Sequence, residues 1–83
     1  MPELVSEIAE MLTDITGEDA VTAATTLEAD LRLESIELAV FADRLRQRYG
    51  ESVDLAAFCA DLDIDELIGL TVSDVANYVA RRT

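Results

Sequence analysis

Residues that could carry chemistry are few in this chain. The sequence contains no histidine and a single cysteine, Cys59. Neither a Ser-His or Cys-His nucleophilic couple nor a His or Cys metal cluster can be assembled from these side chains. We therefore expect no catalytic residue, no metal site and no enzymatic activity of its own. We expect Cys59 to be an ordinary half-buried thiol, because one cysteine cannot form an internal disulfide and fits a reducing cytosolic setting.

Ser35 stands at the predicted start of a helix whose outer side is partly apolar. At 100° per residue, that side carries Ile36, Ala39 and Val40 together with Asp43 and Gln47. Apolar residues grouped on an exposed face usually mark a partner site, so we predict a docking surface here. Two alternatives remain: residues 52–69 fold over this side, or its exposure has no function. A serine at a helix start is also ordinarily only a helix cap.

Apolar spacing predicts the first helix and the loop that follows it. Intervals of three and four residues separate Leu4, Ile8, Leu12 and Ile15. Gly17 stands where a left-handed helix terminator would, which predicts a helix over roughly residues 3–16. The period is then lost over residues 18–32, which predicts an ordered loop held by Val21, Leu27 and Leu31.

The remaining helices follow from the same signals. Helix two is predicted over residues 35–49, before Gly50, with a core side at Leu38, Phe41, Ala42, Leu45 and Tyr49. Residues 52–69 mix apolar and acidic side chains and predict two short helical pieces. In the last helix, Thr71 and Asp74 approximate a capping box, and the apolar stripe consists of Val72, Val75, Ala76 and Val79. We predict a single all-α domain over residues 1–83.

The charge balance excludes several classes of partner. Eighteen Asp and Glu residues stand against six Arg residues, and the net charge is −12. Proteins that bind nucleic acid neutralise phosphates with clustered Lys and Arg, so we expect no nucleic-acid partner. No apolar run approaches the roughly 18 residues of a membrane span, and the opening residues lack the basic region of a secretion signal. We expect a cytoplasmic protein without a membrane partner.

The stretch around Ser35 resembles a known motif. Asp30-Leu31-Arg32-Leu33-Glu34-Ser35-Ile36-Glu37-Leu38 is similar to the Asp-Leu-Gly-Leu-Asp-Ser-Leu stretch of acyl carrier proteins, with the serine in register. The last helix, over residues 71–79, and the length and pattern of helix one are also similar to that family. Peptidyl carriers usually have a Gly-Gly pair shortly before their serine, where this chain has Arg32 and Leu33, which favours the acyl branch.

The resemblance implies a four-helix carrier-protein bundle with a long first loop and a short third helix. It further implies that a phosphopantetheinyl transferase attaches 4'-phosphopantetheine to Ser35, and that the arm holds acyl groups as thioesters. The other implied partners are an acyl-loading enzyme, a ketosynthase and further acyl-processing enzymes, and we expect a monomer. The expected docking residues are Glu34, Ile36, Ala39, Val40, Asp43, Arg44 and Gln47.

Three differences from the fatty-acid carriers indicate a specialised carrier. Glu34 replaces the Asp that precedes the serine. Fatty-acid carriers have an acidic second helix, whereas here two carboxylates stand against Arg44, Arg46 and Arg48. Arginines near a helix C-terminus also stabilise it, so recognition and stabilisation both remain possible explanations. The stretch from Tyr49 to Thr71 is longer than the corresponding stretch of fatty-acid carriers. Residues 54–60 are able to form an added turn of helix there. We therefore expect a role in polyketide or related secondary metabolism.

Rival interpretations place the chain outside this branch. It is alternatively a non-catalytic helical interaction module, or a peptidyl or aminoacyl carrier. Residues 61–65 imitate the opening of a calcium-binding loop, but Glu66 and Val72 occupy the positions that need Gly and Glu. We expect this acidic cluster to cap a short helix or to be solvated.

Overall fold

Five helices form the fold in the computed structural model, which describes residues 2–83. They are α1 Pro2–Thr16, α2 Ser35–Tyr49, α3 Leu55–Ala60, α4 Ile64–Ile68 and α5 Val72–Arg82. The described residues form no strand, and the isolated bridge between Thr26 and Thr71 links two loops. The all-α prediction is confirmed, and two short helices, α3 and α4, stand where the four-helix bundle has its short third helix. Met1, at the start of the predicted domain, lies outside the described residues.

The two longest helices end at glycines, as their sequences predict. Gly17 has φ +80 and donates its N–H to the Thr13 carbonyl at 2.7 Å, which closes α1. Gly50 has φ +110 and donates to the Arg46 carbonyl at 2.9 Å, which closes α2. Glycine adopts these positive φ values without the Cβ clash that other residues suffer. The predicted C-terminal ends of both helices are therefore confirmed.

Three long helices supply most of the core. α1 packs against both α2 and α5. Their fully buried side chains are Ile8, Leu12, Phe41, Leu45, Val72, Val75, Ala76 and Val79. The stripe predicted for α5 is buried in full. Its capping box is also present, because Thr71 Oγ1 accepts the Asp74 N–H at 3.1 Å and Asp74 Oδ2 accepts the Thr71 N–H at 3.0 Å.

Residues 52–69 form two short helices, α3 and α4, as predicted. Asp54 caps α3 by accepting the Ala57 N–H at 3.1 Å, and Asp63 caps α4 by accepting the Glu66 N–H at 2.8 Å. Asp54 and Asp63 therefore act as caps, which satisfy backbone N–H groups that a helix start leaves unpaired. The added turn anticipated over residues 54–60 is α3 with its cap.

One side chain predicted for the core side of α2 lies elsewhere. Leu38 is 37 % exposed, whereas Phe41 and Leu45 are fully buried. The reason is tertiary: near the start of α2 the neighbouring element is α3, and the gap between the two helices remains open as a groove. The prediction that Leu38 fills the core is therefore wrong.

The long loop between α1 and α2 is fastened to the connection between α4 and α5. The Leu27 N–H donates to the Leu70 carbonyl at 3.0 Å, and the Val72 N–H donates to the Thr25 carbonyl at 3.0 Å. The Leu27 side chain is 4 % exposed and belongs to the core. Val21 and Leu31 are half-buried against it. The loop is thus ordered, and its end fixes where α2 begins.

Replacing Leu27 by Ala should therefore destabilise the fold. We expect the free energy of unfolding to fall by about 2–4 kcal/mol, the usual cost of truncating a buried leucine. Urea denaturation followed by circular dichroism measures this. Leu67→Ala is the matched control, since Leu67 is 36 % exposed and its truncation should cost less than about 1.5 kcal/mol. Equal losses in the two variants would contradict the anchoring role of Leu27.

Candidate functional site

Ser35 is the first residue of α2 and is exposed to solvent. The cap position belongs to Glu34, whose backbone is extended, with φ −80 and ψ 165. The Glu34 N–H donates to Glu37 Oε1 at 3.1 Å, so Glu34 and Glu37 form the start of the helix and the serine takes no part in it as a cap. Among the described residues, nothing hydrogen-bonds to the Ser35 hydroxyl. The explanation of Ser35 as an ordinary helix cap therefore does not hold.

The backbone that leads into Ser35 is held by a ring of hydrogen bonds. Thr26 N–H donates to Asp30 Oδ2 at 2.9 Å, and Asp30 N–H donates to Thr26 Oγ1 at 3.0 Å. Further along, Leu33 N–H donates to the Leu27 carbonyl at 3.2 Å, and Leu33 is half-buried against the core. An exposed hydroxyl thus stands at a fixed point on an ordered scaffold.

Arg32 has a strained backbone three residues before the serine. Its φ is +52, the one positive value at a non-glycine residue between residues 2 and 83. In this region the Cβ of an L-residue crowds the following carbonyl, which costs roughly 1–2 kcal/mol. The acyl carrier motif that this stretch resembles has Gly at the same place. The departure at Arg32 therefore has a structural cost.

Arg32→Gly should make the protein more stable. We expect a gain of about 0.5–1 kcal/mol, because glycine relieves the strain but also adds entropy to the unfolded chain. Urea denaturation measures it. Arg32→Ala is the matched control, since it removes the same charge and keeps the strained Cβ, and it should give no comparable gain. A glycine variant no more stable than the alanine variant would contradict a backbone origin.

An apolar groove lies beside Ser35, between α2 and α3, and we call it the α2–α3 groove. Its volume is about 240 Å³, and its walls are formed by Ser35, Leu38, Ala39, Ala42, Leu55, Ala56 and Cys59. Cys59 is half-buried, as predicted, and burial raises the pKa of its thiol. The thiol is therefore protonated near neutral pH. Apart from the serine hydroxyl and this thiol, the side chains of the groove are hydrocarbon.

All seven predicted docking residues are exposed, but they face more than one feature. Ile36 and Val40 are 77 % and 40 % exposed, so residues 52–69 do not cover them. Helical spacing places both on one stripe with Asp43 and Gln47, and Gln47 Nε2 donates to Asp43 Oδ2 at 2.7 Å. Ala39 instead lines the α2–α3 groove.

Two arginines of α2 contact α1. Arg44 Nη1 lies 3.9 Å from Asp14 Oδ2, and Arg48 Nε lies 3.4 Å from Glu7 Oε1. The same Glu7 oxygen accepts the Tyr49 hydroxyl at 2.7 Å. Burial, together with that hydrogen bond, raises the pKa of Tyr49 to about 12. Arg44 and Arg48 thus each face a carboxylate of α1, but both ion pairs are exposed to solvent and add little stability, so recognition and stabilisation both remain explanations.

The sequence analysis did not predict that apolar residues of α4 would be exposed. On α4, Ile64 is 72 % exposed and Ile68 is 50 % exposed. The shortness of this segment could have indicated the exposure, because a helix of five residues cannot bury several large side chains against one neighbour. The groove residues on α3 were missed as well, since they face α2 only through the tertiary fold. None of the described helices has the length and hydropathy needed to cross a bilayer.

A helical bundle that holds an exposed, unbonded serine hydroxyl beside an apolar groove has the form of a carrier domain. Residues 6–79 match the family described as phosphopantetheine attachment site, PP-binding. The chain therefore belongs to this family, whose domains carry 4'-phosphopantetheine covalently on a serine. Searches of curated proteins and of solved structures gave no significant match.

Family membership confirms the cofactor and the carrier role. Domains of this family are generally non-catalytic, and they interact with phosphopantetheinyl transferases and acyl-processing enzymes. The residues present fit the cofactor, because Ser35 offers an accessible hydroxyl with no competing hydrogen bond among the described residues. The arm supplies a thiol on a flexible tether. The chain's own part is to hold the attachment oxygen at a fixed position.

Proposed function

We propose that Ser35 is the attachment serine and that this protein presents acyl thioesters to enzymes of polyketide or related secondary metabolism. The observation that carries the assignment is the Ser35 hydroxyl, which is exposed and unbonded at the ordered start of α2. A transferase needs such access to esterify it. A tether fixed at one point also raises the effective concentration of its cargo at a docked enzyme to roughly millimolar.

The other serines are poorer candidates. Ser52 Oγ donates to the Arg82 carbonyl at 3.1 Å, so its hydroxyl is engaged. Ser73 is half-buried in the first turn of α5. Ser6 is exposed but lies inside α1, away from the α2–α3 groove. Ser35 alone combines exposure, a helix start and adjacent apolar surface.

The size of the α2–α3 groove is an argument for a short acyl group as the cargo. At about 240 Å³ it is smaller than the roughly 300–1,000 Å³ of typical small-molecule sites. An apolar wall next to the arm offers a place where a short acyl group loses contact with water. A long fatty chain would exceed this space. The groove therefore favours a short acyl group over a long one as the sheltered cargo.

The choice of branch rests on the sequence around the site. Arg32 and Leu33 replace the glycine pair usual before the serine of peptidyl carriers, and α3 accounts for the added length after Tyr49. Of the three arginines on α2, Arg46 has no ion pair within residues 2–83, so it is the best candidate for selecting a partner. The peptidyl or aminoacyl carrier is the alternative within the same family.

The docking surface belongs to the same proposal. Its centre is the exposed stripe of Ile36, Val40, Asp43 and Gln47, which begins one residue after the attachment serine. Apolar side chains flanked by charges suit a transient interface, because they supply contact area while the charges set orientation. Glu34, Ala39 and Arg44 lie at its margins. The family match favours this carrier role over a helical interaction module of another kind.

The test of the attachment site uses the whole protein. The chain is incubated with coenzyme A and a broad-range phosphopantetheinyl transferase, and the intact mass is measured. We expect a gain of one phosphopantetheine, located at Ser35 by fragmentation of the modified peptide. No gain with several transferases, or a gain on another serine, would refute the assignment.

The branch is tested on protein that already carries phosphopantetheine, which we call the loaded protein. An acyltransferase with short acyl-coenzyme A donors and an amino-acid adenylating enzyme with amino acids are offered in parallel. We expect an acyl thioester and no aminoacyl thioester. The opposite result would place the chain in the peptidyl or aminoacyl branch while leaving Ser35 as the attachment site.

A further inference from the structure

Arg32 is an arginine without a role in the fold. Its side chain is exposed, and it forms no ion pair with the part of the chain that the structure describes, although Asp30 and Glu34 lie two residues to either side. Its backbone is strained at φ +52. The backbone hydrogen bonds of Leu31 and Leu33 hold the loop in this conformation, so the position suits glycine. An arginine at such a position, with no ion pair of its own among the described residues, indicates a function for its side chain.

The charge around the serine makes this arginine distinctive. The first 43 residues contain eleven acidic residues and a single basic one, Arg32. Glu34 immediately precedes Ser35, and Glu37 lies in the same first turn of α2. A phosphate ester on Ser35 would add another anion among these carboxylates. Repulsion between like charges at such separations opposes it unless a cation stands nearby.

Arg32 is placed to supply that cation. Arg32 is three positions before Ser35 in the chain, so their Cα atoms are at most about 11 Å apart. A guanidinium group pairs with phosphate oxygens through two parallel hydrogen bonds and remains charged at every physiological pH. The other five arginines are at Arg44 or later in the chain, on the C-terminal part of α2 and at the end of α5.

We infer that Arg32 binds the phosphate of the arm attached to Ser35. The inference rests on the proposed attachment site and deepens it by assigning a positioning residue to the loaded form. In that form the guanidinium offsets the neighbouring carboxylates and restrains the first atoms of the arm. The presence of an arginine at this strained position is then accounted for by a contact that forms only after the arm is attached.

Wild-type protein tests this directly by NMR at low ionic strength. Low salt is needed because charges on the surface are screened over about 10 Å at 0.1 M. We expect the Nε–H signal of Arg32 to shift on loading and the signal of Arg46 to stay in place. Arg46 is a matched reference, since it is also exposed and unpaired but lies roughly 16 Å further along α2.

Variants give a second, independent measurement. After loading, the phosphorus NMR signal of Arg32→Gln should differ from that of wild type, and that of Arg46→Gln should not. Arg32→Lys should restore part of the shift, because lysine keeps the charge without the paired hydrogen bonds. Raising the salt concentration should move the wild-type signal towards that of Arg32→Gln.

The outcomes separate this inference from the proposed function. A normal gain of mass on Ser35, with no change in either the Arg32 signal or the phosphorus signal, would overturn the role of Arg32 and leave the attachment site intact. Absence of the mass gain in wild type would overturn both. If Arg32→Gln loads poorly, the comparison of loaded and unloaded wild type still decides the question.

Discussion

Ser35→Ala should abolish attachment of phosphopantetheine while leaving the fold intact. The variant lacks the oxygen that the transferase esterifies, so we expect no mass gain under conditions that load wild type completely. The structure also predicts that the stability of the variant is unchanged within about 0.5 kcal/mol, as for other exposed substitutions. Glu34 rather than Ser35 occupies the cap position, so the usual cost of about 1 kcal/mol for removing a cap does not apply.

Two serine variants serve as controls for Ser35→Ala. Ser6→Ala removes another exposed hydroxyl on a helix, and Ser52→Ala removes one that is hydrogen-bonded to Arg82. Both should be loaded like wild type. Intact-protein mass and thermal denaturation, measured on the same samples, separate lost chemistry from lost structure. Full loading of Ser35→Ala would show that the arm is attached elsewhere.

Phe41→Ala should have the largest effect on stability. Phe41 is fully buried at the centre of α2 and is the largest of the fully buried side chains. Truncation of a buried phenylalanine costs about 3–5 kcal/mol, through lost burial and the cavity left behind. Domains of this size have a total stability of roughly 4–12 kcal/mol. We therefore expect the variant to be marginally folded or unfolded at room temperature.

Leu38→Ala is the matched control for Phe41→Ala. Leu38 lies on the same helix, three residues earlier, but it borders the α2–α3 groove and is 37 % exposed. Its truncation should cost less than about 1.5 kcal/mol, because part of the side chain is already in water. Urea denaturation followed by circular dichroism compares the two. Similar losses would contradict the distinction between core and groove on α2.

Much of the fold follows from local signals in the sequence. The bounds of α2 were predicted from Ser35 to Tyr49 and are those observed, and α1 differs by one residue at its start. The capping box at Thr71 was predicted and is present, and the acidic cluster that was expected to cap a short helix or to be solvated supplies the cap at Asp63. These features depend on residues within four positions of each other. Hydrogen bonds and helical periodicity at that range are the same in almost any tertiary setting.

The partners of the α2 side chains could not be predicted in this way. Leu38 has the spacing of a core residue, yet it borders a groove because α3 leaves it partly uncovered. Arg44 and Arg48 suggested either recognition or stabilisation, and only the position of α1 places Asp14 and Glu7 beside them. Periodicity tells which side of a helix is apolar, but not what lies opposite it.

By itself, the sequence determined the helical class and the main helix boundaries, because caps, stop signals and apolar spacing act over short distances. Ser35 was singled out as the candidate serine by the resemblance of residues 30–38 to the acyl carrier motif. The tertiary structure decided that the Ser35 hydroxyl is free, that the α2–α3 groove lies beside it and that Arg32 has a positive φ. These properties depend on loop closure and on packing between distant segments. Contacts such as that from Leu27 to Leu70 fix them, and no local pattern encodes such contacts.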